Sequence, residues 1–498
     1  MRYVVSASQM KQADRNTTTQ YGIPAIVLME RAALETVRIM TERFAKDAGV
    51  LVVCGRGNNG GDGLAIARLL HTAGYRVDVF QEESDRYSEL CLLQRNIAQA
   101  HGLAVHNIFP DREYDIIVDA LFGIGLSRDL DETQLELIRR MNALTGYHIA
   151  VDIASGLNAD TGGLMPEAFR ADLTVTYGYL KRGLLTGCGR EYSGRIRVCE
   201  IGIPDGALED TPLVKAFDAE DLIMPERGVN DNKGTRGKLV VIAGSEEMPG
   251  TPLLVGNAAY RVGAGMVKVI TQERVVNNVV CTLPELLVYG VKDTTTDEEL
   301  LRAIQWGDCV VIGPGIGTGD YGKRLLRIVL SRTMLPVVLD ADALTLLARD
   351  GEIGDLFARC DAERFILTPH MKECERISGM DLQRMREQPY ETLQELGRRT
   401  DLVIVRKDSR TMIWDGSGEI VIPMTGNDCL AKAGSGDVLC GMIGGILAAE
   451  LRRTTQIRTA CVRAAVNGTL LHGMLADRAV AAGRGPNTVM PGELWKYL

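Results

Sequence analysis

Between residues 29 and 47 apolar groups recur at Met29, Ala32, Ala33, Val37, Met40 and Phe44, the spacing of one helix face. A short continuous apolar run follows at Val50–Val53, then a glycine-rich loop and a helical pattern from Leu64 to Leu70. The alternation continues with a strand at 77–80, a helix at 86–100, a strand at 115–120, a helix at 132–144 and a strand at 148–153. Short apolar strands separated by helices predict a parallel sheet covered on both faces. Ligands of such sheets bind beyond the carboxyl ends of the strands.

The pattern dissolves between about 203 and 235, where Pro204, Pro212 and Pro225 mix with glycine and charge, the composition of an interdomain connection. The boundary is expected near 215. Alternation then resumes with strands at 238–243, 266–270, 309–312, 336–340, 365–368 and 402–405 and helices at 251–262 and 320–332. Two strands at 411–414 and 419–422 flank the turn Asp415–Gly418 and predict a small antiparallel stretch. Helices at about 435–449 and 457–476 close the chain. The fold class predicted is α/β throughout.

Length and charge narrow the function. A chain of 498 residues exceeds the size at which one hydrophobic core stops growing, so at least two domains are expected. A net charge of −9 gives no footprint for nucleic acid, so a phosphorylated ligand has to be held by local donors such as backbone N–H groups. The first residues lack the apolar stretch of a signal peptide, and no apolar run is long enough for a bilayer, so a soluble, cytoplasmic protein with no membrane partner is expected. The 11 cysteines form no Cys-x-x-Cys pair and read as reduced core thiols.

Two glycine-rich anion sites stand out. The first, Gly57-Asn58-Asn59-Gly60-Gly61-Asp62-Gly63, follows a strand and opens a helix, where amides and the helix dipole favour an anion. It has neither the Gly-x-Gly-x-x-Gly spacing nor a Walker ending. Val118-Asp119-Ala120 and Val151-Asp152-Ile153-Ala154-Ser155-Gly156 each set a carboxylate at a strand end. Asn59, Asp119 and Ser155 together offer hard oxygen ligands of the kind that alkali and alkaline-earth cations prefer, although either aspartate alone could be a helix cap.

These motifs, in this order, resemble the YjeF N-terminal family of NAD(P)HX epimerases over roughly residues 1–215. The resemblance implies a Rossmann-like three-layer domain that interconverts the R and S forms of hydrated NADH or NADPH. It implies potassium on Asn59, Asp119 and Ser155. It places Asn58, Asn59, Gly60, Gly61 and Asp62, the segment Gly123, Ile124, Gly125, Leu126, Ser127, Arg128 and Asp129, and Asp152 against the hydrated nucleotide. Asp152 is the candidate for moving a proton at the hydrated carbon. Ala154 stands where the family usually has proline, a change that loosens the loop before Ser155.

The second site, Gly434-Ser435-Gly436-Asp437, sets an aspartate beside backbone amides at a positive helix end, which suits phosphoryl transfer to a hydroxyl. A bare helix cap would need only Ser435 or Asp437. Three strand ends converge with it in the expected sheet: Ile312-Gly313-Pro314-Gly315-Ile316-Gly317, Leu339-Asp340-Ala341-Asp342, and Thr368-Pro369-His370 with Glu373. Together with Lys233-Gly234-x-x-Gly237, Gly244-Ser245 and Arg261-x-Gly263-Ala264-Gly265, they resemble the YjeF C-terminal family over about 219–498. These are the ADP-dependent NAD(P)HX dehydratases of the ribokinase-like superfamily, and the two domains in this order resemble bifunctional NAD(P)H-hydrate repair enzymes.

The second resemblance implies that ADP phosphorylates the hydroxyl of the S hydrate, after which phosphate leaves and the dihydropyridine returns. Asp437 would be the base and Gly434, Ser435 and Gly436 the anion cradle. Gly315 and His370 would touch the hydrated nucleotide, and Lys407, Asp408, Ser409, Arg410, Thr411 and Gly436 the ADP. Magnesium is expected on the phosphates. Asp408 and Lys372 replace glycines usual in the family, Ala433 replaces another, and Thr251-Pro252 stands for an Ala-Pro or Ala-Ala pair. A homo-oligomer is expected.

Two other functions use the same residues. A ribokinase-like kinase for a small alcohol would use Asp437 equally well but has no need of a fused epimerase-like site. A catalytically silent nucleotide-binding regulator would bind ADP without restoring reduced coenzyme.

Overall fold

A computed structural model describes residues 1–209 and 213–498. The chain separates into two compact units, Arg2–Pro212 and Leu213–Leu498 with Met1.

The first unit is built on a seven-stranded sheet in the order Val105–His106, Arg76–Gln81, Gly49–Cys54, Ile116–Ala120, Tyr147–Val151, Leu173–Tyr177, Arg195–Cys199. All of its strands are parallel. Strand order reverses between Gly49–Cys54 and Ile116–Ala120, which opens a crevice at their carboxyl ends. Val50, Val52, Ile116 and Val118 are fully buried against the helices Ala25–Arg43 and Asn58–Thr72, as two-sided cover of a parallel sheet requires.

Three departures from the expected pattern matter for the site. The glycine motif is not a loop ahead of a helix: Gly57 is the N-cap and Asn58–Gly63 form the first turns. The helix Ala7–Thr19 and the parallel pair Arg2–Val5 with Leu180–Lys181 were not predicted. Neither were Leu173–Tyr177 and Arg195–Cys199, whose threonines and arginines mask the apolar run.

In the second unit the strands run Leu287–Val291, Met266–Gln272, Lys238–Ile242, Cys309–Ile312, Val337–Leu339, Phe365–Leu367, Val403–Arg406, all parallel. Met412–Trp414 and Ile420–Pro423 then pair antiparallel, as expected. Val214–Phe217 lies parallel to Ile420–Pro423, so the stretch 203–235 contains a strand. The helix Ser435–Glu450 is buried from Val438 to Glu450 and threads the core, which leaves only its first turn open.

Among the described residues, no helix is long and apolar enough to cross a membrane. The 11 cysteines of the sequence are unpaired thiols, and Cys54 and Cys309 lie buried in their strands.

Candidate active sites

The crevice of the first unit is a cavity of about 600 Å³. Asn58, Asn59, Asp62, the segment from Gly123 to Arg128 and Asp152 line it. Gly60, Gly61 and Asp129 do not. Gly60 is needed for close approach instead, since a Cβ there would lie 1.9 Å from the Gly55 carbonyl.

Asp119 and Ser155 meet beneath the crevice. Ser155 Oγ donates to Asp119 Oδ1 at 2.6 Å, and the Ser155 and Leu121 amides donate to the same carboxylate at 2.7 and 3.2 Å. Burial pushes the Asp119 carboxyl up to about 6 against the pull of the Ser155 hydrogen bonds. Asn59 is buried, with its Oδ1 3.4 Å from the position of a Cβ at Gly123 and its Nδ2 without a partner among the described residues. The exchange of proline for Ala154 leaves Ser155 fixed, because the Phe122 amide donates to its Oγ at 2.9 Å and the Phe169 amide to its carbonyl at 2.8 Å.

Asp152 follows the strand Tyr147–Val151 with φ at +67°, a region that L residues other than Asn and Asp rarely enter. Lys181 Nζ donates to its Oδ1 at 2.6 Å. Lys181 and Asp14 are among the cavity residues missed in the sequence. Burial lifts Asp14 to about 6 against the pull of Lys181, and burial pushes Asp62 well above the carboxylate range, reinforced by Asp152 and Asp14.

The second site forms where Gly434, at φ +89°, turns the chain into the helix Ser435–Glu450. A Cβ on Gly436 would lie 3.5 Å from Lys407 Nζ and 3.9 Å from Asp340 Oδ2. Those two groups are ion-paired at 2.7 Å, with Asp340 only 2% exposed. Burial, then Asp340, push Asp437 up to about 6, and Lys407 opposes them. Ala341, between Asp340 and Asp342, has φ at +49°. Among the described residues the non-glycine positions with positive φ are Asp152, Ala341 and Asp401, so two of them fall at the candidate sites.

His370 caps the helix Met371–Ser378: its Nδ1 accepts from the Glu373 amide at 3.1 Å, and Glu373 Oε2 accepts from the His370 amide at 2.8 Å. The ring's other nitrogen therefore carries the proton when neutral. Burial and Lys407 lower its pKa. His370 and Lys407 are bridged in parallel, with the Lys407 amide donating to the Pro369 carbonyl at 2.8 Å. Gly315 sits at φ +66° beside Met248 and Thr251, and the Gly317 amide donates to Asp342 Oδ2 at 2.9 Å. Asp408, Lys372 and Ala433 are exposed, and Asp408 Oδ1 accepts from the Ser409 amide at 2.7 Å. Arg410 reaches the Pro423 carbonyl at 3.1 Å. His472, also missed in the sequence, is buried with Nε2 3.4 Å from Ser435 Oγ, and burial lowers its pKa to about 4.

Both units are similar to known proteins. Residues 239–498 match the family described as NAD(P)H-hydrate dehydratase, and residues 25–183 match the family described as YjeF-related protein N-terminus. The bifunctional NAD(P)H-hydrate repair enzyme of Thermofilum pendens is 32% identical, with 99% of this chain and 95% of the relative covered. This chain belongs to the family of bifunctional NAD(P)H-hydrate repair enzymes.

The Escherichia coli repair enzyme is likewise 32% identical over 99% of this chain and 92% of its own. The ADP/ATP-dependent NAD(P)H-hydrate dehydratase of Bacillus subtilis, crystallised with ATP and Mg²⁺, is 28% identical over 57% of this chain and 96% of its own, with a TM-score of 0.45. The expected α/β class stands, a domain with a parallel sheet followed by one with a mixed sheet. So does the expected function of epimerase joined to nucleotide-dependent dehydratase. The kinase and silent-regulator readings are set aside, since full-length relatives span both units.

Proposed function

We propose that the two reactions divide between the units, epimerisation in the expected domain 1–215 and ADP-dependent dehydration in 219–498. The observation that carries this division is that each unit holds its own aspartate beside a glycine-rich helix start, Asp152 in one and Asp437 in the other.

In the first, the hydrated carbon bears a hydroxyl and the ring nitrogen. Loss of the hydroxyl proton lets the carbon–nitrogen bond open to an aldehyde, and reclosure on either face inverts the centre. Asp152 takes that proton. Asp62 lines the same cavity, and its raised pKa suits it to return a proton to the nitrogen. Asn59 and the segment from Gly123 to Arg128 would orient the nucleotide.

Asn59, Asp119 and Ser155 would hold potassium. Their fit lies in a fully buried carboxylate with no ion pair among the described residues, to which Asn59 Oδ1 and Ser155 Oγ would add neutral oxygens. Bound there, the ion would supply the positive charge that Asp119 lacks.

In the second unit, Asp437 takes the hydroxyl proton of the S hydrate as its oxygen attacks the terminal phosphorus of ADP and the bond to AMP breaks. The amides of Gly434 and Gly436 would receive the phosphoryl charge at the helix start, with Lys407 beside them, while the Ser435 amide donates to the Lys432 carbonyl at 3.1 Å. Phosphate then leaves with the help of the ring nitrogen's electrons and takes a proton from the neighbouring carbon, which restores the dihydropyridine. Gly315 and His370 would face the hydrated nucleotide, and the segment from Lys407 to Thr411 the ADP. Magnesium would be held on the phosphates and neutralise their charge, with Asp340 and Asp342 as neighbouring carboxylates. Unpaired thiols suit a reducing cytoplasm.

The test mixes R and S hydrates with ADP, magnesium and potassium and follows the return of reduced coenzyme. Wild type should recover the whole pool. Asp152→Asn should stop after the S fraction, and Asp437→Ala should recover none while still interconverting epimers. Near wild-type dehydration by Asp437→Ala would refute the assignment.

A further inference from the structure

Lys181 is only 1% exposed, an expensive place for a charge unless every donor is used. Its ammonium donates to Asp152 Oδ1 at 2.6 Å, to Thr176 Oγ1 at 2.9 Å and to the Tyr177 carbonyl at 2.7 Å. An ammonium has three N–H bonds, so none is left for a ligand. A buried lysine at a cavity wall would ordinarily suggest direct contact with substrate, and here the occupied donors oppose it.

Asp152 shows the complementary asymmetry. Lys181, Thr176 Oγ1 at 3.3 Å and the Tyr177 amide at 3.5 Å all reach Oδ1. Among the described residues nothing reaches Oδ2, and the side chain lines the cavity at 14% exposure. Asp14 and Asp62 line the same cavity without an ion pair among the described residues. Of these three carboxylates, only Asp152 has a cation fixed to it.

We propose that Lys181 is a positioning residue for epimerisation: it anchors Asp152 through Oδ1 and thereby leaves Oδ2 as the atom that takes the substrate's hydroxyl proton. This rests on Asp152 being the proton acceptor. In the step, the substrate O–H bond breaks as Oδ2–H forms, and the electron pair left on oxygen becomes the carbonyl bond as the carbon–nitrogen bond opens. The nitrogen takes a proton from a second acid of the cavity. Lys181 keeps its protons throughout. Thr176 has a supporting part, since its hydroxyl accepts from the ammonium while donating to Oδ1.

The experiment uses the full chain and the R hydrate without ADP, with epimers resolved by chromatography. Lys181→Met should lower kcat on the order of 100-fold, the scale of general-base catalysis, and leave KM within about threefold. Lys181→Ala should regain at least about tenfold in methylammonium and nothing in tetramethylammonium, which has no N–H to donate. Asp152→Asn and the double variant Asp152→Asn with Lys181→Met should have equal residual rates, because residues acting as one unit are not additive. Should Lys181→Met fail to fold, the double variant, neutral at both positions, carries the comparison.

Wild-type kcat in Lys181→Met, or a further loss on adding it to Asp152→Asn, overturns the proposal. Raised KM at unchanged kcat does so too, since it makes Lys181 a binding residue. A fully active Asp152→Asn would instead remove the proton-acceptor role itself. An inactive Asp152→Asn beside a fully active Lys181→Met would leave that role standing and sink only the part given to Lys181.

Discussion

The ammonium of Lys407 is ion-paired at 2.7 Å with the buried carboxylate of Asp340, directly beside Gly436 of the phosphoryl cradle. The pair joins two strand ends that the sequence leaves 67 positions apart. It also sets the charge environment of Asp437, where Asp340 pushes the pKa up and Lys407 pushes it down.

Dehydration should accordingly show an acidic limb near pH 6, since Asp437 acts as a base only when ionised and burial has raised it to about 6. Removing the charge that opposes this rise, as in Lys407→Met, should move the limb to higher pH. Asp340→Asn should move it lower. Profiles of kcat/KM against pH for the S hydrate check both directions, and a common limb in all three proteins would count against them.

Potassium should stabilise the chain above pH 6 and lose its effect below. Asp119 is raised in the fold from 3.8 to about 6, so the protonated form favours folding and that advantage is lost as pH rises through about 6. The loss is on the order of 3 kcal/mol for a fully buried group. A cation on the ionised carboxylate offsets it. Melting in potassium against tetramethylammonium should diverge at pH 8 and converge at pH 5, with no divergence in Asp119→Asn.

His472 gives the opposite slope. Its pKa falls from 6.5 to about 4 through burial, so its contribution is intact above 6.5 and disappears as pH drops through 4. His472→Gln should flatten stability across that window in urea titrations. It should also slow dehydration if the contact to Ser435 helps shape the cradle.

Gly60→Ala should destabilise the first unit by upward of about 2 kcal/mol, because the added methyl meets backbone at 1.9 Å and cannot be relieved by a rotamer. Gly57→Ala, with nothing within 4 Å of its Cβ, is the control and should fold normally. Circular dichroism melts separate packing from ligand contact at this motif.

The glycine motifs, the strand-end aspartates and nearly every buried strand were legible in the sequence, because two-sided burial imposes continuous apolar runs. Besides the short strands Val214–Phe217 and Leu287–Val291, much of what escaped was polar or long-range. The helix Ala7–Thr19 buries Asn16 and Thr17 beside Met10 and Ala13, so its periodicity is weak, although Ser6 and Gln9 spell the capping box that starts it. Lys181 sits in a two-residue strand and acquires meaning only through Asp152, 29 positions away. Lys407 was assigned to nucleotide by resemblance, but nothing local in the sequence announces its bond to Asp340.

The left-handed backbone at Asp152 narrows what evolution can do there. Asparagine and glycine tolerate that conformation, whereas β-branched residues do not. A lineage that ceased to need stereochemical inversion would therefore be expected to drift to Asn, which keeps the conformation and an oxygen for Lys181, whereas glycine would leave that buried ammonium without its partner. Such a genome would betray the loss through a single codon.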